Sequence, residues 1–129
     1  MRYDLADLEP FDCKEFELRH PDTGEGLDMH FNVLGPHTRT ARMTAWNLAE
    51  YVRTAKPDAA MIDLKLVKAL AAVIVDWRGV VENGLEVRYS PTRAERLLTD
   101  HHWIREQVSN FSSDRRNFFR RPEPVGEAA

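Results

Sequence analysis

The stretch WRGVVENGLEVRYSP, residues 77–91, decides how the second half of the chain is read. Trp77 closes an apolar run, and Gly79 is a natural C′ residue to end a helix. Asn83-Gly84 is the dipeptide that most favours a type I′ turn, and Ser90-Pro91 reads as an N-cap followed by a proline at N1. Helices are therefore expected on either side of a loop or small hairpin.

Upstream, Asp58 is placed to cap a helix over about 58–78. Its Ile62, Leu66, Leu70, Val73, Ile74 and Trp77 form a helical stripe, widened by Leu64, Val67 and Val75. Only a narrow wet side remains at Lys65, Lys68, Ala72 and Asp76, so this helix is expected to be central. Before it, Thr38 or Thr40 can cap a helix over about 38–56 that ends ahead of Pro57. Ala45, Leu48, Ala49 and Val52 share one of its faces, with Trp46 beside them. Downstream, a short helix over about 91–98 carries Leu97 and Leu98, and Thr99 or Asp100 opens a last one over about 100–119. Ile104, Val108, Phe111 and Phe118 share its face, with Trp103 and Phe119 at the margins.

The N-terminal third reads differently. Phe16 and Leu18, then Leu27, Met29, Phe31 and Val33, recur at period two, and Pro21-Asp22-Thr23-Gly24-Glu25-Gly26 between them is turn chemistry. A hairpin over about 13–34 follows, and it needs a helical layer or a partner to cover its apolar face. From Pro122 the tail has no pattern to bury, and 122–129 is expected to be disordered. The expectation is a mainly α fold with an N-terminal β-hairpin (α+β), a small single-domain helical bundle spanning 1–121.

With 129 residues the chain can bury one core. The formal charge of −3 gives no electrostatic reason to expect nucleic acid. A lone cysteine, Cys13, fits a reducing compartment, and the acidic N-terminus lacks the apolar run of a secretory signal. The apolar run from Leu64 to Val75 is interrupted by Lys65 and Lys68 and is too short to span a bilayer. A soluble, cytoplasmic protein is expected.

Candidate chemistry dissolves on spacing. His101 and His102 are adjacent, so on a helix they point about 100° apart and cannot share an ion, and Asp100 is explained by capping. Cys13, His20, His30 and His37 could be gathered by the hairpin, but Cys13 and His20 fall on opposite faces of a regular strand. Gly24-x-Gly26 precedes a strand rather than a helix, which makes it a turn and not a phosphate loop. Ser90, Ser109, Ser112 and Ser113 lack nucleophile-elbow glycines. Arg115, Arg116, Arg120 and Arg121 suit the negative end of the last helix better than a nucleic-acid patch. No catalytic residue, metal or cofactor is expected. Trp103 and Phe119, large apolar side chains off the centre of their helix face, are the candidate partner-binding residues.

The order of these pieces resembles the tail assembly chaperones of long-tailed bacteriophages and of prophages derived from them. The residues that carry the likeness are Asp22-Thr23-Gly24-Glu25 in the hairpin, then Trp77-Arg78-Gly79-Val80, Asn83-Gly84, Tyr89-Ser90-Pro91, Leu97-Leu98 and Asn117-Phe118-Phe119. It covers about residues 13–119. The resemblance implies a non-enzymatic protein of the host cytoplasm that coats the tape measure protein, associates with itself, yields to the tail tube protein, and is absent from the finished virion. No membrane or nucleic-acid partner is implied. The alternative is a structural head-tail or tail-completion protein that stays in the virion. A third reading, a regulatory domain, would use the four C-terminal arginines on nucleic acid.

Overall fold

A computed structural model describes residues 2–120. A 3-10 turn at Leu5–Leu8 leads into strands β1 (Cys13–Arg19) and β2 (Gly26–Leu34), the hairpin expected from the alternation. Two helices follow, α1 (Arg39–Ala55) and α2 (Ala59–Val73). Next come β3 (Ile74–Arg78) and a two-residue hairpin of β4 (Val81–Glu82) and β5 (Leu85–Glu86). Helices α3 (Pro91–Asp100) and α4 (His102–Ser113) and a 3-10 turn at Arg115–Phe118 close the described chain. The expected tail 122–129 lies outside the described residues.

Caps set several boundaries where the sequence placed them. The side chains of Thr38, Asp58 and Ser90 accept hydrogen bonds from the backbone N–H groups of Ala41, Met61 and Arg93. Each satisfies a donor that the first helical turn leaves free. Asn83 and Gly84 have φ of 53° and 76°, the two positive values a type I′ turn requires.

The helix expected over 58–78 is corrected. It stops at Val73, and Ile74–Arg78 joins the hairpin as the third strand of an antiparallel sheet ordered β1-β2-β3, with Phe31 opposite Trp77. Ile74 and Trp77 fit the helical stripe, but Val73-Ile74-Val75 is a β-branched run, and the open edge of β2 supplies the backbone partners that favour a strand. Gly79 accordingly ends a strand, not a helix. At φ 77° it passes so close to Asp28 that an added Cβ would lie 2.3 Å from that residue's carbonyl oxygen.

The last helix is also corrected. Asp100 belongs to α3, and α4 starts at His102 after an N-cap residue, His101, whose side chain makes no capping bond, so neither Thr99 nor Asp100 opens it. It ends at Ser113 rather than near residue 119, because Asp114 accepts a hydrogen bond from the Arg116 N–H and starts a separate turn.

One face of the sheet meets the helices. Leu18, Phe31, Val33 and Trp77 are buried with Val67, Leu97, Leu98, Ile104, Val108 and Phe118. Phe16 stacks on Phe111 with ring centroids 4.5 Å apart. Gln107 ties α4 to β1 by two bonds: its Nε2 donates to the Arg19 carbonyl (2.7 Å) and its Oε1 accepts from the Arg19 N–H (2.9 Å). Trp77 Nε1 donates to the Val87 carbonyl (2.7 Å), and Tyr89 Oη donates to the Ile74 carbonyl (2.9 Å). These two bonds fasten the β4–β5 segment to β3. Helix α2 is central as expected, touching α1, α3, α4 and β3. Its Met61 and Leu64 nevertheless stay exposed.

Candidate functional site

Helix α1 is the least covered of the four α-helices. None of its seventeen residues is buried, and its principal neighbour is α2. The cause lies in its composition. Ala41, Ala45 and Ala49 alternate with larger residues, so the face turned toward α2 has too little volume to fill the space beside it.

What remains is a groove of about 600 Å³ between α1, α2 and the C-terminal turn of α4. Leu48, Leu66, Leu70 and Val73 form its apolar lining, the alanines widen it, and Pro36 and Ser112 border one end. Trp46 stands on the rim with 64% of its surface exposed. The polar groups nearby are largely occupied within the fold. Ser112 Oγ donates to the Leu34 carbonyl (2.9 Å), and Thr44 Oγ1 donates to the Thr40 carbonyl (2.6 Å). Of the lining residues only Arg42 is titratable, so the groove offers apolar contact with one cationic side chain beside it.

The residues singled out from sequence lie elsewhere. Trp103 sits in the first turn of α4, partly buried against the core, with its ring edge-on to His101 at 6.3 Å. Phe119 follows the second 3-10 turn, beyond the other end of α4, and is 38% exposed. The structure does not bring the two together. His102 pairs along the helix with Glu106 (3.4 Å), apart from His101. Arg116 is held by Asp114 through two hydrogen bonds of 2.8 and 3.0 Å, and Arg120 lies over the Phe11 ring, so these two are engaged with different partners; Arg121 is outside the described residues.

Cys13 is exposed, and His20 Nδ1 accepts from the Asp22 and Thr23 N–H groups to close the hairpin turn. On the outer sheet face Glu17, Asp28 and His30 bring their ligand atoms within 4.8 Å of one another. Each already has a partner there: Glu17 accepts from the Asp28 N–H (2.9 Å), and His30 Nε2 lies 3.0 Å from the Asp28 carboxylate. Beside them, the Arg78 guanidinium makes two hydrogen bonds to Glu15 and holds that carboxyl below its ordinary value of 4.5.

The sequence places Ala45, Leu48, Ala49 and Val52 on one face of this helix but does not show how much of that face is covered, so the groove is not read from it. The available signal was the alanine spacing opposite a tryptophan. Among the described residues no helix is long and apolar enough to cross a membrane. No curated protein and no solved structure matches the sequence. A family model described as YdaY prophage protein matches residues 37–123, which take in both walls of the groove and leave β1 and β2 outside. The chain with this half-covered helical hairpin belongs to the YdaY prophage protein family.

Proposed function

We propose that the protein is a non-enzymatic tail assembly chaperone that shields the tape measure protein in the host cytoplasm before the tail tube closes around it. The observation that carries this reading is the apolar groove of α1 and α2 with Trp46 on its rim. A long helical protein with apolar stripes aggregates when bare, and an amphipathic helix laid into a groove is a recurrent way to cover such a stripe. Trp46 supplies a large contact area with few rotatable bonds, the profile of an anchor residue. Shielding must be reversible, because the tail tube protein has to displace the chaperone. An open groove suits that exchange better than an enclosed cavity. Prophage origin is consistent with the same role.

The test is co-expression of the full chain with the tape measure protein encoded by the same prophage. Copurification with wild type, loss with Trp46→Ala, and absence of the protein from purified virions are the expected results. Stoichiometric presence in mature particles would refute the chaperone role and favour a structural tail component.

A further inference from the structure

We infer that the outer sheet face binds one transition-metal dication, Zn²⁺ foremost, through His30 Nε2 and the carboxylates of Glu17 and Asp28. None of these residues lines the groove, so the site is independent of the docking surface.

Strand pairing assembles the set. Glu17 and His30 are directly opposed across β1 and β2, which puts both side chains on one face. The register slips between Glu17 and Arg19, and in the facing stretch of β2 Asp28 takes φ 56°. Glu17 folds back over this irregularity, where its Oε2 accepts from the Asp28 N–H (2.9 Å). Gly26 leaves room for it: an added Cβ would lie 2.5 Å from Glu17 Oε1.

One ring nitrogen meets both carboxylates. His30 Nε2 lies 3.0 Å from Asp28 Oδ1 and 3.9 Å from Glu17 Oε2, and the three ligand atoms fall within 4.8 Å of one another. An ion about 2.1 Å from each donor sets neighbouring donors about 3.0 Å apart in octahedral and about 3.4 Å apart in tetrahedral geometry. Small side-chain rotations therefore close the set on one ion.

The other ring nitrogen has a carboxylate of its own. His30 Nδ1 lies 3.7 Å from Glu15 Oε1, and Glu15 is held in turn by Arg78 through bonds of 2.8 and 3.1 Å. A carboxylate beside the far nitrogen keeps the proton there and leaves the Nε2 lone pair for a metal, the usual support of a metal-binding histidine. A plain acidic patch has no such aligned imidazole. Three carboxylates and one guanidinium surround the ring, an excess of negative charge that a dication offsets. One imidazole and no thiolate favour Zn²⁺ over Mg²⁺ and Ca²⁺, which prefer oxygen donors alone. Once bound, the ion ties β1 to β2 across the register slip.

The test is calorimetric titration of the full chain with zinc chloride near neutral pH. One ion per chain should bind with a Kd of about 10 µM or tighter, and millimolar Ca²⁺ should not displace it. Asp28→Asn and His30→Ala should each weaken binding at least about tenfold, and Glu15→Gln, which acts through the ring, about tenfold. Asp28 is almost fully exposed and Asn tolerates positive φ, so Asp28→Asn should keep the wild-type circular dichroism. Cys13→Ser and His102→Ala, which remove two other exposed donors, should bind like wild type. By nitrogen NMR the Nε2 resonance of His30 should shift on zinc addition while Nδ1 keeps its proton. Zinc should raise the Tm of wild type and leave that of Asp28→Asn unchanged.

No saturable binding below about 1 mM would overturn the inference. So would wild-type affinity in Asp28→Asn or His30→Ala, loss of binding in Cys13→Ser or His102→Ala, displacement by Ca²⁺, or an unmoved His30 Nε2 resonance.

Discussion

Arg105 of α4 is buried and reaches the Asp63 carboxylate of α2, while its Nε donates to the Leu98 carbonyl (3.2 Å) at the end of α3. One side chain thus joins three helices. Asp63 is more than half exposed, so the ion pair itself is screened and worth little, whereas the guanidinium stem and the bond to Leu98 are sheltered. Arg105→Ala should cost about 2 to 3 kcal/mol in urea unfolding and Asp63→Ala under about 1 kcal/mol. Equal losses would contradict this division.

Two glycines separate strain from crowding. Gly84 has φ 76° and open space around an added Cβ, whereas Gly79 has φ 77° and the Asp28 carbonyl oxygen 2.3 Å from that position. Gly84→Ala should cost about 1 kcal/mol, the strain alone. Gly79→Ala should cost at least about 2 kcal/mol, because the β2 backbone must also move. Thermal melts of the two variants decide the point.

Acid stability should report on Glu15. Its hydrogen bonds from Arg78 lower its pKa from the ordinary 4.5, so the unfolded state takes up the proton first as pH falls. The stabilisation is fully present above 4.5 and is lost as the pH falls through the folded value. Glu15→Gln should therefore flatten the acid limb of Tm against pH while changing Tm near neutrality only slightly, as suits an exposed pair.

Three aromatic truncations sort packing from contact. Trp46→Ala should leave stability within about 0.5 kcal/mol and reduce tape measure binding. Trp103→Ala should cost about 2 kcal/mol, since that ring packs partly buried on the core. Phe119→Ala should change stability little, and unchanged client binding in both Trp103→Ala and Phe119→Ala would confine the interface to α1.

Local chemistry was legible in the sequence wherever one residue acts on its own neighbours. Thr38, Asp58 and Ser90 as caps and Asn83-Gly84 as a turn rest on interactions within a few residues, and the 13–34 hairpin on two alternating runs joined by a local turn. Strand β3 was not legible, because Leu70, Val73, Ile74 and Trp77 satisfy helical spacing and the deciding partner is the edge of β2, some forty residues earlier in the chain. The end of α4 was hidden for a similar reason: Phe118 continues the apolar face, but Asp114 interrupts the backbone before it. The groove was invisible because periodicity identifies the apolar face of α1, not how much of it α2 can cover.

That partial cover has a consequence for the fluctuations of the native state. A helix without a buried side chain and with one principal neighbour can detach while the sheet, α2, α3 and α4 keep their mutual packing. Helix α1 should then be a separate cooperative unit, its amides exchanging with solvent at least about tenfold faster than those of α4. Detachment would expose Leu66 and Leu70 together with the inner face of α1, so the molecule would hold in reserve an apolar area larger than the one it displays at rest.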